Sequence, residues 1–116
     1  MFRELFNLSS EIVFLIEVTS EGYPGRFIEV NDAACRGLGY TREEFLLMSL
    51  NDIKAPETTD QAEILEQFRL NGMATFDAVA VRKNGTKLHF ENNTKLLKIK
   101  NKECYLSAGN HFTKDD

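Results

Sequence analysis

The chain has 116 residues, 42% of them hydrophobic and 28% charged, and a net charge of −4 at pH 7. This length and composition are typical of one globular domain with a single hydrophobic core. Acidic and basic residues are interspersed, which argues against a nucleic-acid-binding protein because such proteins need a basic face. No apolar run approaches the roughly 20 residues that cross a bilayer, so we expect no membrane contact by this domain.

A short helix and two strands are predicted at the start of the chain. Phe2 to Leu8 places its apolar residues on one side of a helix. Ile12 to Ile16 is rich in β-branched and aromatic residues, as strands are. The turn residues of Glu21 to Gly25 separate it from a second predicted strand, Arg26 to Val30.

Three short helical turns follow the second strand, and each has its own capping signal. Asn31 is placed to cap the first, because its side-chain oxygen can accept from backbone N–H groups that the first turn leaves unpaired. Gly39 can end that helix in the left-handed conformation. Thr41 to Glu44 and Ser49 to Asp52 both have the spacing of a capping box. The sequence therefore predicts three separate short helices rather than one long helix.

One longer helix is predicted at about Gln61 to Asn71. Thr58-Thr59-Asp60 offers N-caps for this helix, and Asn71-Gly72 is a stop signal. Its apolar residues form one stripe rather than an all-round apolar surface, which predicts a helix with one packed face. The members of the stripe are Ala62, Ile64, Leu65 and Phe68.

Three strands complete the prediction, at Ala74 to Arg82, Lys87 to Leu97 and Glu103 to Thr113. Asn84-Gly85 is a strong hairpin turn, because both residues tolerate positive φ. Lys98 to Lys102 is predicted to be the second hairpin loop. Strands at both ends with helices between them indicate an α+β domain with an antiparallel sheet.

Two blocks of the sequence resemble the PAS domain family. The first runs from Val30-Asn31 through Ala33-Ala34 and Gly-Tyr-Thr-Arg-Glu-Glu-Phe to Asp52-Ile53. The second, Arg82 to Lys87, resembles the hairpin that joins two later strands of that family. The resemblance extends from about residue 5 to residue 113. It implies a single PAS-like domain over residues 1–116, with a five-stranded antiparallel sheet in the order 2-1-5-4-3 and helices packed on one face.

The resemblance implies a sensory or interaction module, without catalytic activity of its own, from a larger signal-transduction protein. A sensor histidine kinase of a two-component system is the expected parent, with the effector domain in the same chain. It also implies a weak homodimer through the N-terminal helix and the outer face of the sheet. The candidate contacts are Phe2, Leu5, Leu97 and Tyr105. Two alternatives remain open: a ligand-free PAS dimerisation module and a small stand-alone enzyme on the same fold.

The residues themselves predict no catalytic or metal site. His89 and His111 are the only histidines, and neither lies near the base and orienting group that an activated nucleophile needs. Cys104 and His111 are an odd number of residues apart, so a regular strand would turn them to opposite faces. Cys35 and Cys104 have no metal-type spacing and indicate a reducing compartment, so a cytoplasmic location is expected.

Flavin and haem are both disfavoured at the cofactor positions that the resemblance implies. The third helical turn, Ser49 to Ile53, lacks the reactive Cys of the flavin-binding branch. The matching strand positions are Ala80 and Phe90, which cannot hydrogen-bond a flavin ring. The long helix, Gln61 to Asn71, contains no His that could ligate haem. The protein is expected to be colourless, and an unidentified small molecule remains the candidate ligand.

Asn92 and Thr94 interrupt an otherwise apolar face of the predicted strand Lys87 to Leu97. Period-two alternation turns this face toward the helices, and buried polar groups need partners. Those partners could be nearby backbone groups or a buried water, or a small ligand held between the strand and the long helix. The candidate pocket residues are Leu65, Phe68, Phe90, Asn92 and Thr94, with Phe68 and Phe90 expected to be core residues that face each other.

The last predicted strand ends in His111-Phe112-Thr113. These residues match the Asp-Ile-Thr with which PAS domains often end, and His111 stands in place of the family's Asp. The resemblance implies that the strand passes its signal to an effector at this point.

Overall fold

Five antiparallel strands form one sheet in the order β2-β1-β5-β4-β3 in the computed structural model, which describes residues 11–111. The strands are β1 (Ile12–Val18), β2 (Pro24–Val30), β3 (Met73–Val81), β4 (Lys87–Ile99) and β5 (Lys102–His111). Between β2 and β3 lie α1 (Asp32–Leu38), α2 (Arg42–Leu46), a 3₁₀ turn (Leu50–Asp52) and α3 (Gln61–Asn71). The α+β class and the strand order are those predicted. The predicted helix Phe2 to Leu8, and with it Phe2 and Leu5, lies outside the described residues, as do Phe112 and Thr113.

The core lies between the inner face of the sheet and the short helices. Its centre is an aromatic cluster in which the ring centroids of Phe14 and Phe27 are 4.9 Å apart and those of Phe27 and Phe45 are 5.2 Å apart. Phe45, on α2, has no exposed surface. Tilted and edge-on aromatic pairs of this kind add stability beyond the area that they bury. Among the described residues, no helix is long and apolar enough to cross a membrane.

The predicted caps of the first two helices are confirmed. The Asn31 side-chain oxygen accepts from the backbone N–H of Ala34 at 3.0 Å, as predicted, and also from that of Val13 on β1 at 3.0 Å. Gly39 ends α1 with φ of 87°. Thr41 and Glu44 form the reciprocal capping box of α2. The fully buried Asn31 thus caps a helix and also ties it to the neighbouring strand.

The third helical turn and α3 begin differently from each other. The Asp52 carboxylate accepts from the backbone N–H of Ser49 at 2.9 Å, as a capping box requires. Asp60, which precedes α3, makes no side-chain cap. The hydroxyls of Thr58 and Thr59 instead donate to the backbone of β3. The predicted N-cap of α3 is therefore wrong, because strand edges compete for the same hydroxyl groups.

The two late hairpins have turns that differ from the prediction. At Asn84-Gly85 only the glycine has positive φ, at 91°, and the Asn84 side chain accepts from the Thr86 N–H. The β4–β5 turn is only Lys100-Asn101, with φ of 50° and 66°. Positive φ at both central residues is the type I′ geometry. The predicted five-residue loop at Lys98 to Lys102 is therefore too long.

The short β4–β5 turn decides which side chains share a face. It places Leu96 opposite Tyr105 and Leu97 opposite Cys104. Residues directly opposite each other in a sheet point to the same side. Leu97 consequently lies on the outer face, as predicted, whereas Tyr105 lies on the inner face.

Candidate ligand pocket

A cavity of about 270 Å³ lies between the inner face of the sheet and α3. Strands β1, β3, β4 and β5 form its floor, and the 3₁₀ turn and α3 form the opposite wall. Its apolar lining includes Phe14, Ile16, Leu50, Ile53, Ile64, Phe76, Ala78 and Ala80. The exposed side chains of Tyr23 and Leu65 also line it, so they lie at its mouth. Its volume is near the lower end of small-molecule pockets, which span about 300–1,000 Å³.

All five predicted pocket residues line this cavity: Leu65, Phe68, Phe90, Asn92 and Thr94. Their exposures differ, because Phe90 is buried at 3% whereas Leu65 is 39% exposed and Phe68 is half-buried. Phe68 stacks on Tyr105, with ring centroids 5.3 Å apart. Phe90 is thus a core residue, as predicted, whereas the prediction that Phe68 is also a core residue is wrong, because Phe68 is only partly buried against the core. The reason is that α3 buries none of its residues and covers a cavity instead of filling it.

Asn92 and Thr94 point inward, and a third polar side chain joins them. The Asn92 amide N–H donates to the Thr94 hydroxyl at 3.0 Å, and Thr94 donates to the Ser107 hydroxyl at 3.3 Å. Ser107 donates to the Asn92 carbonyl oxygen at 2.7 Å, which closes a ring of three hydrogen bonds. We call Asn92, Thr94 and Ser107 the polar ring. All three are buried, so the ring is a polar patch in the floor of an apolar cavity.

Ser107 is the member of the polar ring that the sequence pattern did not indicate. It belongs to β5, directly opposite Thr94 of β4. A lone serine in a strand carries no local signal of burial. Only the register of the β4–β5 hairpin places it beside Thr94, so the correct turn length would have identified it.

Tyr105 was predicted to contact a partner on the outer face, and that prediction is wrong. Its ring lines the cavity, and its hydroxyl donates to the Gly22 carbonyl oxygen at 2.6 Å. Burial, followed by the nearby charge of Glu103, raises the pKa of Tyr105 above its ordinary value. Tyr105 therefore belongs to the wall of the pocket, where it holds the β1–β2 turn.

Hydrogen bonds to the edge of β3 attach the wall that carries α3. The Gln67 side-chain amide donates to the Thr75 carbonyl at 3.0 Å and accepts from the Thr75 N–H at 2.9 Å. Further along the strand, the Thr58 hydroxyl makes the same pair of bonds to the backbone of Val79. Unpaired strand edges otherwise recruit other chains. These side chains therefore cover an edge and also position the outer wall of the pocket.

The predicted exit strand runs alongside the pocket. β5 pairs with both β1 and β4, and the backbone of His111 lies opposite Phe90. Gly109 lies opposite Asn92. The last described residues of β5 are thus the ladder partners of pocket residues on β4.

The side chains that line the pocket are mostly apolar. Among the described lining residues there is no His, Cys, Asp or Glu, and Lys54 is the only charged residue. Within residues 11–111, no group of three or more His, Cys, Asp or Glu side chains could hold a metal ion. Ala80 and Phe90, at the positions where the flavin-binding branch carries Asn, both line the pocket with apolar side chains. They offer no hydrogen-bonding group to a flavin ring.

The sequence profile of the PAS domain family matches residues 10–107. That span runs from the start of β1 to the polar-ring residue Ser107. The chain therefore belongs to the PAS domain family, whose members are sensory modules of signalling proteins and are generally non-catalytic.

Individual relatives agree with this family. The chain is 26% identical over 113 residues to the methyl sulfide methyltransferase-associated sensor of Methanosarcina acetivorans, a match that covers 97% of this chain and 11% of that protein. It is 25% identical to a solved PAS domain from a two-component sensor histidine kinase, with a TM-score of 0.77 over 96% of this chain and 93% of that one. A PAS domain from Colwellia psychrerythraea has a TM-score of 0.80 at 17% identity, over 96% of this chain and 93% of that one, and shows the shared fold alone.

Proposed function

We propose that this domain is the input module of a larger signalling protein, in which a small molecule bound in the pocket changes the activity of an effector domain. The observation that carries the proposal is the polar ring, because it lies in the floor of the cavity and joins β4 to β5. A bound molecule that perturbs Asn92 would act directly on Ser107, which belongs to the strand leading out of the domain.

Coupling through the sheet needs an element with two arrangements that the ligand favours unequally. In the proposed mechanism this element is the β4–β5 pair. In the ladder, Asn92 and Phe90 of β4 lie directly opposite Gly109 and His111 of β5. The signal then leaves through His111-Phe112-Thr113 without passing through the helices.

The proposed parent is a sensor histidine kinase of a two-component system. Its support is the similarity to a PAS domain of such a kinase and to an archaeal sensor protein. This chain spans 11% of that sensor's length, which is consistent with one module of a multidomain protein. The free cysteines Cys35 and Cys104 support a reducing compartment, and we propose the cytoplasm. The apolar side chains of Ala80 and Phe90 in the pocket lining support the proposal that the protein is colourless and binds no flavin.

The experiment is to measure the effector activity of the full-length Asn92→Ala protein with and without its stimulus. Asn93→Ala is the matched control, because its side chain lies on the other face of β4, where it bonds to Thr75. We expect Asn92→Ala to change the response while Asn93→Ala does not. A normal response of a folded Asn92→Ala protein would remove the polar ring from the signalling route.

A second function, a ligand-free dimerisation module, has one observation in its favour. The three polar-ring side chains bond to one another and, among the described residues, leave only one N–H of Asn92 without an acceptor, so most of their hydrogen-bonding capacity is met without a ligand. Native mass spectrometry of the purified protein separates the two functions. A bound small molecule supports the sensor, whereas a dimer without ligand, combined with an unaltered Asn92→Ala response, supports the dimerisation module.

A further inference from the structure

The polar ring has more hydrogen-bond donors than it uses. An Asn amide has two N–H donors and each hydroxyl has one, so the three side chains carry four donors. The closed ring uses three of them. Reversing the direction of the ring by rotating the amide and the hydroxyls also uses three. In either direction one N–H of Asn92 is left over.

No protein acceptor within residues 11–111 takes the remaining N–H of Asn92, whose side chain is buried and lines the cavity. Each acceptor oxygen of the ring, by contrast, already receives one hydrogen bond. A buried N–H group without an acceptor keeps the full cost of its lost hydration, whereas an oxygen that accepts one hydrogen bond is already satisfied in part. Buried donors without a partner are accordingly rarer in proteins than oxygens with a spare lone pair. The floor of the pocket therefore favours a ligand that presents a hydrogen-bond acceptor.

The charge around the cavity limits the ligand further. Lys54 is the only charged residue among the described lining residues, and it is exposed. A long lysine side chain keeps its ammonium group in water where it can. An anionic group beside Asn92 would thus be buried without a counter-charge, which is strongly unfavourable.

The volume of the cavity limits the size of the ligand. An apolar cavity of roughly 150 Å³ takes one benzene molecule, and the present cavity is about 270 Å³. One ring with a short substituent, or two fused rings, would fill it. The aromatic and aliphatic walls favour a flat apolar body.

We infer that the pocket binds an uncharged, mainly apolar molecule of one or two rings whose acceptor atom receives the spare N–H of Asn92. This ligand class rests on the proposed sensor function, because it describes what occupies the same pocket. The acceptor is a carbonyl oxygen, an ether oxygen or an unprotonated ring nitrogen at the buried end of the molecule.

Three probes of nearly equal size test the inference: acetophenone, ethylbenzene and benzoate. The first offers a neutral acceptor, the second has none, and the third is charged. Nuclear magnetic resonance titration of the ¹⁵N-labelled chain gives each dissociation constant and reports the Asn92 side-chain amide directly. We expect acetophenone to bind about tenfold more tightly than ethylbenzene, the usual effect of one hydrogen bond, and to shift the Asn92 amide signals. Benzoate should bind more weakly than either.

Variants separate the hydrogen bond from the cavity. Asn92→Leu should abolish the preference for acetophenone over ethylbenzene, whereas Asn93→Leu should leave it unchanged. Ala78→Phe places a ring in the cavity and should abolish binding of all three probes. Because the comparison of probes on the unmodified chain needs no variant, the inference stays testable even if Asn92→Leu fails to fold.

The possible failures are distinguishable. If benzoate or ethylbenzene binds as tightly as acetophenone, the inferred ligand class is wrong. The proposal that the domain is a ligand-responsive sensor would be unaffected by that result. Absence of binding by all three probes would overturn the ligand class as well. If Ala78→Phe then also left the output of the full-length protein unaltered, the proposed sensor function would fail with it.

Discussion

Gly109 is the residue at which one added methyl group should disturb the pocket most. A Cβ atom built there would lie 2.4 Å from Cδ2 of the Phe90 ring. The ring cannot turn away freely, because Phe90 is 3% exposed. We expect Gly109→Ala to lower the free energy of unfolding by about 1–3 kcal/mol, as overpacking of a core does, and chemical denaturation measures it.

Gly37→Ala is the matched control. The added methyl group would lie 3.3 Å from Cδ1 of Ile12, the flexible end of that side chain, and α1 gains a better helix former. Its effect should be near neutral. Equal losses of unfolding free energy in the two variants would mean that the close contact with Phe90 does not cause the effect of Gly109→Ala.

Tyr105 should make the stability depend on pH in the alkaline range. Burial raises the pKa of its hydroxyl in the folded chain, so folding favours the protonated form. This contribution to the free energy of unfolding is complete below the ordinary tyrosine value of about 10 and is lost as pH rises through the folded-state pKa.

The Tyr105→Phe variant isolates the effect. It keeps the ring against Phe68 but loses the bond to the Gly22 carbonyl, which should cost about 0.5–1.5 kcal/mol at neutral pH. Ultraviolet titration of the chain should show a phenolate component above the ordinary range that the variant lacks. A variant with the same titration curve and the same alkaline loss of stability would contradict the assignment.

At the scale of the elements, side-chain hydrogen bonds attach α3 to the edge of β3. The helix buries no residue, and the Gln67 amide pairs with both backbone groups of Thr75. Gln67→Ala should therefore loosen the wall of the pocket while leaving the sheet intact. Hydrogen exchange of the α3 amides and of the Thr75 N–H should become faster, since local opening costs less.

Arg69→Ala is the control for α3. Arg69 lies on the same helix, but its side chain is 68% exposed and, within residues 11–111, pairs with Glu66 of the same helix. Its loss should leave exchange at Thr75 unchanged. Unaltered exchange in Gln67→Ala would show that apolar contacts such as Phe68 against Tyr105 hold the helix by themselves.

For the whole molecule, we propose weak self-association through the outer face of the sheet. Leu97 lies there beside Cys104, with the charged side chain of Lys95 nearby on the same face. Apolar strips rimmed by charge are common contact surfaces. Sedimentation velocity should show dimers at high micromolar concentration, and Leu97→Asp should weaken them.

Ile28→Asp controls for the charge change, because Ile28 is 43% exposed on the edge strand β2, away from Leu97. It should leave the dimer unchanged. A monomer at high micromolar concentration, or equal effects of both variants, would rule out this surface.

Local signals in the sequence determined the short helices and the outline of the sheet. Asn31 as a cap, Gly39 as a stop and the Thr41 to Glu44 box depend on hydrogen bonds within four residues, so the neighbouring sequence specifies them. Period-two alternation likewise predicted correctly that the Asn92 side chain points inward. The family resemblance, rather than spacing, supplied the strand order.

Tertiary structure decided how those elements meet. The Lys100-Asn101 turn contains no glycine, yet it set the β4–β5 register and with it the places of Ser107 and Tyr105. A shift of one residue in that register would reverse the face of every side chain on β5. The gap between α3 and the sheet could not be predicted from the sequence either. The apolar stripe of α3 has the same pattern whether the helix packs directly on a core or covers a cavity. The position of α3 depends on contacts between residues far apart in sequence, where local propensity has no influence. The register depends on a turn in which two non-glycine residues adopt positive φ, a conformation that local propensity disfavours.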